Sequence, residues 1–489
     1  MLRTSKAALA ILVAFAAGGA GPTSQAADPL AKLLADPALR GASVGVVVED
    51  LETGERRFAH APDRALVPAS NQKLLVAAAA LTKFGPAYRF ETPVFVEGPI
   101  DGKGVLDGVL WLEGRGDPSL VSESLWKLAE EIRLKGITRI RGGIGVDAGY
   151  FDGIRLHPDW GRISSRAYHA PTSAFAANYS SFRVEVAAGP APGAPARVRI
   201  APETRHLQLD SSAVTSRGSG APAKPLRIDL EPLADGRGER VRVRGTVPPG
   251  GAARSFWRSV RLPEFYAASL LRTQLEAHGI QVDGPIQLGA VPSSARELLV
   301  WKSDPLSLIL QRQNKWSNNF IAEQLTKALG AEAAGPPGNW EKGKRALDAY
   351  LVSIGVPSRA GYVADGSGLS PHNQISPAVL VRVLREALGR FDSGPEFLSS
   401  LPLGGLDGTL RDRMSAEKLT PVRAKTGRLR RVTSLSGLVS TELGERWLFA
   451  VLVNGSRGSD IAVQRAVDRF VAELATTGRP EAAAAAAGP

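Results

Sequence analysis

Val67-Pro68-Ala69-Ser70-Asn71-Gln72-Lys73-Leu74-Leu75-Val76-Ala77 opens an apolar helix and carries a hydroxyl and an amine one turn apart. Residues three apart on a helix share a face, so the Lys73 amine can reach the Ser70 hydroxyl. That pairs a nucleophile with a base. Pro68 just ahead, and the helix formers Leu74, Leu75, Ala77 to Ala80 and Leu81 just behind, place Ser70 in the first turn. Free backbone N–H groups and the helix dipole favour negative charge there, so an oxyanion can form beside the serine.

Around this stretch the chain runs to 489 residues, room for about three domains at roughly 150 residues each, and 44% of it is hydrophobic, enough for sizeable cores. Residues 1–27 carry Arg3 and Lys6, an apolar run over 7–17 and a small-residue end at Ser24-Gln25-Ala26-Ala27. This is the pattern of a cleaved secretory signal peptide. No later uncharged run reaches the roughly 20 residues of a spanning helix, so the exported chain is expected to be soluble, with no transmembrane anchor. Cysteine is absent, which excludes disulfides, thiolate metal sites and a cysteine nucleophile together. The formal charge of +12 would suit nucleic acid in a cytoplasmic protein, but in an exported one it suits anionic envelope polymers.

Upstream of Ser70, residues 42–50 alternate and branch at Cβ, then Glu52-Thr53-Gly54-Glu55 turns the chain into 56–60, a β-hairpin pattern. Downstream, from about 91 to 289, short strand-like runs broken by Gly, Pro and Asp mark β-rich modules: 108–113, 137–146, 182–186, 198–200, 226–230 and 241–247. Loop-like stretches at 187–195 and 216–223 suggest that a smaller module, about 181–250, is nested in a larger one over 91–180 and 251–289. From 297 the pattern turns helical (305–313, 318–329, 340–354, 376–387), then strand-like at 422–427, 432–441 and 447–453, an expected antiparallel meander. A last helix at 461–475 packs back on that meander through one apolar face, and the alanine-rich tail 478–489 is expected to be disordered.

Ser-x-x-Lys alone is weak, since it recurs at Ser124 to Lys127 and Ser415 to Lys418. Ser70 stands above these because two partners follow in order, Ser317-Asn318-Asn319 and Lys425-Thr426-Gly427. Such a set is shared by penicillin-binding proteins and serine β-lactamases. Lys73 can act as a base only if its ammonium gives up its proton near neutral pH; burial and a second cation, Lys425, both push that way. Ser317, through contact with Lys73, can hand a proton to a leaving amine. Asn319 can orient Lys73 and bind a substrate amide. Strand alternation puts Lys425 and Gly427 on one face and Thr426 and Arg428 on the other. Gly427 leaves room for a substrate lying alongside as an extra strand, the Thr426 hydroxyl can take a terminal carboxylate, and the N–H groups of Ser70 and Arg428 would form the oxyanion hole.

The chain resembles the low-molecular-mass class C penicillin-binding proteins, the D-alanyl-D-alanine carboxypeptidase/endopeptidase family. Beyond the three motifs, segments 113–120, 142–147, 365–370 and 401–410 are similar to that family, and the 247 positions between Ser70 and Ser317 suit its large insertions. The resemblance implies an α/β fold: a transpeptidase-like domain over 28–90 and 290–477, an antiparallel sheet flanked by helices, with two inserted β-rich domains. It implies a periplasmic serine D,D-peptidase acting on peptidoglycan peptides through a Ser70 acyl-enzyme, acylated also by β-lactams, and needing no cofactor. It leaves the oligomeric state open, a dimer included, and does not choose between carboxypeptidase and endopeptidase action. Arg428 departs from the Ser or Thr usual after Lys-Thr-Gly, which keeps the backbone N–H but alters the substrate contacts.

Two other readings stay open: a β-lactamase-like hydrolase on the same constellation, and a non-catalytic peptidoglycan-binding protein on the same fold. Residues 365–370 read either as a Gly-rich turn or as a loop lining the cleft, and Asp147 either as a structural residue or as a substrate contact. Of six scattered histidines only His372, beside the 365–370 loop, is placed near the cleft, and no metal site is expected.

Overall fold

The structure is a computed structural model and describes residues 28–216, 224–358, 363–414 and 421–476. The expected signal peptide 1–27, the tail 478–489, most of the 216–223 loop and the Ser415 to Lys418 pair lie outside the described residues.

Val44, Val46, Val47 and Val48 favour the pleated conformation and are buried, so their strand is covered on both faces. That strand, Ser43–Asp50, lies inside a five-stranded antiparallel sheet ordered Val422–Leu429, Val432–Ser440, Arg446–Asn454, Ser43–Asp50 and Arg56–His60. Alternation sorts its side chains between two cores. Val46 and Val48 join Phe449, Val451 and the buried face of the C-terminal helix Asp460–Thr476, whereas Val47 joins Leu74, Leu75, Leu380 and Leu384. The helix carrying Lys73, Gln72–Phe84, is buried on every side from Gln72 to Leu81, as an apolar helix without a polar face must be. Asn319–Ala334, Leu306–Lys315, Trp340–Ser353 and Pro377–Gly389 pack around it.

The inserted stretch holds sheets of its own. Ile286–Leu288, Ile144–Asp147, Val109–Glu113, Glu91–Glu97 and Arg296–Lys302 form a mixed five-stranded sheet. Among the described residues three three-stranded sheets join it: Arg254–Ser259 with Ser181–Ala187 and Arg197–Ala201, Leu207–Ser211 with Glu239–Arg244 and Arg227–Pro232, and the short Gln281–Val282 with Arg139–Ile140 and Val105–Leu106. The strand reading of this region passes over two helices, Ser122–Leu134 and Pro263–Ala277, which pack on each other. It also passes over Arg296–Lys302, which pairs antiparallel with Glu91–Glu97 before the helical stretch begins. Phe151, Ala170, Ala174 and Ala176 leave the inserted stretch and join the core around Leu74 and Leu325. The segment near 150–180 is thus bound to the helices behind Ser70.

Candidate active site

Ser70 lies in a 3-10 turn, Ala69–Asn71, that runs into the Gln72–Phe84 helix. Ala69 just ahead has φ +48°, a left-handed conformation costly for a residue with Cβ. The turn is held from three sides. Ser434 Oγ donates to the Pro68 carbonyl at 2.6 Å, Asn71 Nδ2 donates to Ser436 Oγ at 2.9 Å, and Asn454 Oδ1 accepts from Val67 N at 2.8 Å. Gly368, at φ +82°, packs against the Ala69 carbonyl where a Cβ would collide.

Lys73 is fully buried, and its Nζ lies 3.0 Å from Ser70 Oγ, 2.7 Å from Asn319 Oδ1 and 2.6 Å from the Ser367 carbonyl. Burial lowers its proton affinity to about 7, against the opposing pull of Glu323 and Asp365. Sequence reasoning gave Lys425 a share in that depression; the structure makes burial the main cause and brings in two carboxylates that favour the ammonium. Glu323 is itself buried and is pushed up to about 7 by desolvation and by Asp365.

Lys425 is also fully buried, and its amine is pushed well below the ordinary lysine range by desolvation, then by Lys73 and Arg413. Its Nζ donates to Ser317 Oγ at 2.9 Å and to the Thr426 carbonyl at 2.8 Å. The Ser317 contact expected with Lys73 is thus made with Lys425. Ser317 has φ +54°, and the capping role belongs to its neighbour: Asn318 Oδ1 accepts from Ile321 N at 3.0 Å. Asn319 faces Lys73 with its oxygen and gives its Nδ2 to the Tyr168 carbonyl at 3.0 Å.

Val422–Leu429 is an edge strand of the sheet, paired along its length with Val432–Ser440 and bridged on the other side, over 422–424, to 402–404. Lys425 and Gly427 are buried on its inner face, Thr426 is partly buried, and Arg428 is exposed. A Cβ on Gly427 would stand 3.0 Å from the Ser70 nitrogen and would strike the Ser434 hydroxyl, so glycine lets this strand approach the serine turn. Thr426 Oγ1 donates to Thr409 Oγ1 at 2.9 Å, a partner found only in the structure, although Thr409 sits in the 401–410 segment.

The 365–370 loop reaches Lys73 through the Ser367 carbonyl, from a turn in which Asp365, Ser367 and Ser370 are fully buried. Asp147 does not: its oxygens accept from Gly149 N at 2.9 Å and Val291 N at 3.0 Å, a structural use. His372 is largely exposed, with Nδ1 3.4 Å from Asp159 Oδ2.

A sheet-edge Lys-Thr-Gly strand set against a serine turn with a buried lysine defines the serine enzymes that recognise penicillins. Residues 26–477 match the D-Ala-D-Ala carboxypeptidase 3 (S13) family, and the chain belongs to it, a family of serine hydrolases. It is 36% identical to a D-alanyl-D-alanine carboxypeptidase of Actinomadura sp. (strain R39) over 94% of this chain and 86% of that one. Its fold is similar to the crystal structure of penicillin binding protein 4 from Haemophilus influenzae, with TM-score 0.78 and 25% identity over 92% of this chain and 100% of that one. A structure of the same protein complexed with a β-lactam matches with TM-score 0.73 and 25% identity, over 91% of this chain and 98% of that one. Among the described residues no helix is long and apolar enough to cross a membrane.

Proposed function

We propose that the chain is a periplasmic serine D,D-peptidase that cleaves D-Ala-D-Ala stem peptides or D-Ala cross-links of peptidoglycan through a Ser70 acyl-enzyme. The observation that carries this reading is the Lys73 amine, buried, depressed to about 7 and 3.0 Å from Ser70 Oγ. In the neutral form its lone pair takes the Ser70 proton as Oγ attacks the carbonyl of the penultimate D-Ala. The N–H groups of Ser70 and Arg428 hold the developing oxyanion. The proton taken up by Lys73 passes by way of Ser317, which Lys425 holds, to the nitrogen of the departing D-amino acid and leaves Lys73 neutral, while the Thr426 hydroxyl holds the carboxylate. Water then attacks the acyl group as the neutral Lys73 takes its proton, and that proton returns to Ser70 Oγ as the acid leaves. A β-lactam carries an amide and a carboxylate in a similar arrangement and acylates the same oxygen.

The domain division proposed is a catalytic unit over 28–90 and 290–477 around an inserted unit (91–180 and 251–289) and a nested one (181–250). The pairing of Arg296–Lys302 with Glu91–Glu97 favours moving the second boundary past 302.

Intact-protein mass after incubation with benzylpenicillin, for wild type and Ser70→Ala, tests the function. A lasting adduct on wild type alone is expected. A transient adduct with rapid loss of drug would point to a β-lactamase, and no adduct on either to a binding protein.

A further inference from the structure

Lys73 Nζ meets three acceptors, but a neutral amine has only two N–H bonds. If these go to Asn319 Oδ1 and the Ser367 carbonyl, the two shortest contacts at 2.7 and 2.6 Å, the lone pair is left facing Ser70 Oγ. The position of one backbone carbonyl therefore decides where the base points.

The residue that carries it is held at its amide by Glu323. Its Oε1 accepts from Ser367 N at 2.8 Å, and its Oε2 accepts from Gly366 N at 3.2 Å and Trp340 Nε1 at 2.7 Å. Glu323 lies one turn beyond Asn319 in the Asn319–Ala334 helix, so a single helix face supplies Lys73 with one acceptor directly and a second through Ser367. The carbonyl's own peptide unit is held by Asp365, which accepts from Gly368 N and also from Ser370 N, Asn373 Nδ2 and Trp160 Nε1 at 2.7 to 2.8 Å. Gly366 has no room for a Cβ against Thr326 and the Ala322 carbonyl, so the loop packs directly on the helix.

We propose that Glu323 is a positioning residue for the reaction, fixing at the Ser367 amide the backbone whose carbonyl aims the Lys73 amine. This rests on the reading of Lys73 as the base. The charged groups around the pair come from several elements: Asp365 from the loop, Lys327 one turn further along the helix, Asp152 and Arg155 from the inserted segment, and Lys425 from the strand edge. Burial disfavours an ammonium at Lys73; ionised Glu323 and Asp365 favour it. Glu323 therefore keeps a fully buried amine from losing its basicity altogether, and a base works best when its proton affinity lies near the working pH. A glutamate that merely filled space would affect the folded fraction and the rate, not the pH at which the base is protonated.

The test is the second-order rate of acylation by a chromogenic cephalosporin, from about pH 5 to about pH 9, for wild type, Glu323→Gln, Glu323→Asp, Asp365→Asn and Lys73→Ala. Glu323→Gln should lower the plateau by about 100-fold through misplacement of the carbonyl. It should also move the acid limb down, because the Glu323 carboxylate, itself partly ionised near pH 7, no longer favours the proton on Lys73. Asp365→Asn should move the limb the same way. Glu323→Asp, which keeps the charge but shortens the reach, should lose rate while holding the limb in place. An unmoved limb in both Glu323→Gln and Asp365→Asn overturns the proposal, and Asp365→Asn decides alone if Glu323→Gln does not fold. Acylation of Lys73→Ala at the wild-type rate would instead remove the base reading itself, and the proposal with it.

Discussion

Lys73 and Asn319 stand 246 positions apart in the chain, and their side chains meet at 2.7 Å. The inserted residues between them do not merely loop out, because Asn319 Nδ2 is tied to the Tyr168 carbonyl and Asp365 to Trp160 Nε1. The insertion thus supplies two hydrogen bonds that orient the groups around the amine. Its effect on the reaction runs through those bonds.

The acid limb of the reaction should report Lys73. An amine depressed to about 7 is free above that pH and protonated below it, so acylation should fall as pH drops through about 7 and level off above it. Stopped-flow acylation across this range checks the sign. A rate that stays flat down to about pH 5 would mean that another group takes the Ser70 proton.

Gly427→Ala should cost about 100-fold in acylation, since the added methyl must displace either the Ser434 hydroxyl or the serine turn, and a shift of about 1 Å at such a site is worth that much. The same measurement with Gly389→Ala, where a Cβ meets open space, should give close to the wild-type rate. Equal losses in the two variants would show that the glycine is not there for the close approach.

The reading of the sequence reached the core of this arrangement because the chemistry depends on residue types: a serine, two lysines and an asparagine have few substitutes. The meander and its covering helix were legible for a similar reason, since alternating and 3.6-residue apolar patterns follow from burial. What was missed carries no such signal. The Ser367 carbonyl is backbone, and any residue can supply it. Glu323 looks like a solvent-facing helix former until Trp340 and the 366–367 amides are seen around it. The left-handed turn at Ala69 is imposed by contacts from Ser434, Gly368 and Asn454, which come from parts of the chain hundreds of positions away. The Ser122–Leu134 helix, bordered by strands, was hidden by the Gly and Pro punctuation on either side.

Arg428 stands exposed on the strand edge, on the Thr426 face, where a substrate carboxylate is proposed to sit. Arg428→Ser should raise KM for a D-Ala-D-Ala peptide by about fivefold, the worth of one partly screened charge pair, with kcat nearly unchanged. The increase should shrink as salt is added. An unchanged KM at low salt would remove Arg428 from substrate binding.

Lys327 and Asp152 pin the inserted segment to the helix that carries Asn319 and Glu323. Lys327 Nζ lies 2.6 Å from Asp152 Oδ1 and 3.9 Å from the centre of the Trp340 ring, and its side chain has no exposure. Burial lowers its proton affinity, while Asp152 favours the charged form. Asp152→Ala would leave that amine buried without its counter-ion, which typically costs about 3–5 kcal/mol; the lower end applies here because Asp152 is partly exposed. The double variant Asp152→Ala/Lys327→Met removes the stranded charge as well and should recover most of the loss, since a thioether side chain fits against Phe151 and Trp340. Urea midpoints for the two variants measure the difference. If Asp152→Ala unfolds at the wild-type midpoint, water reaches the amine and the pair does not hold the insertion in place.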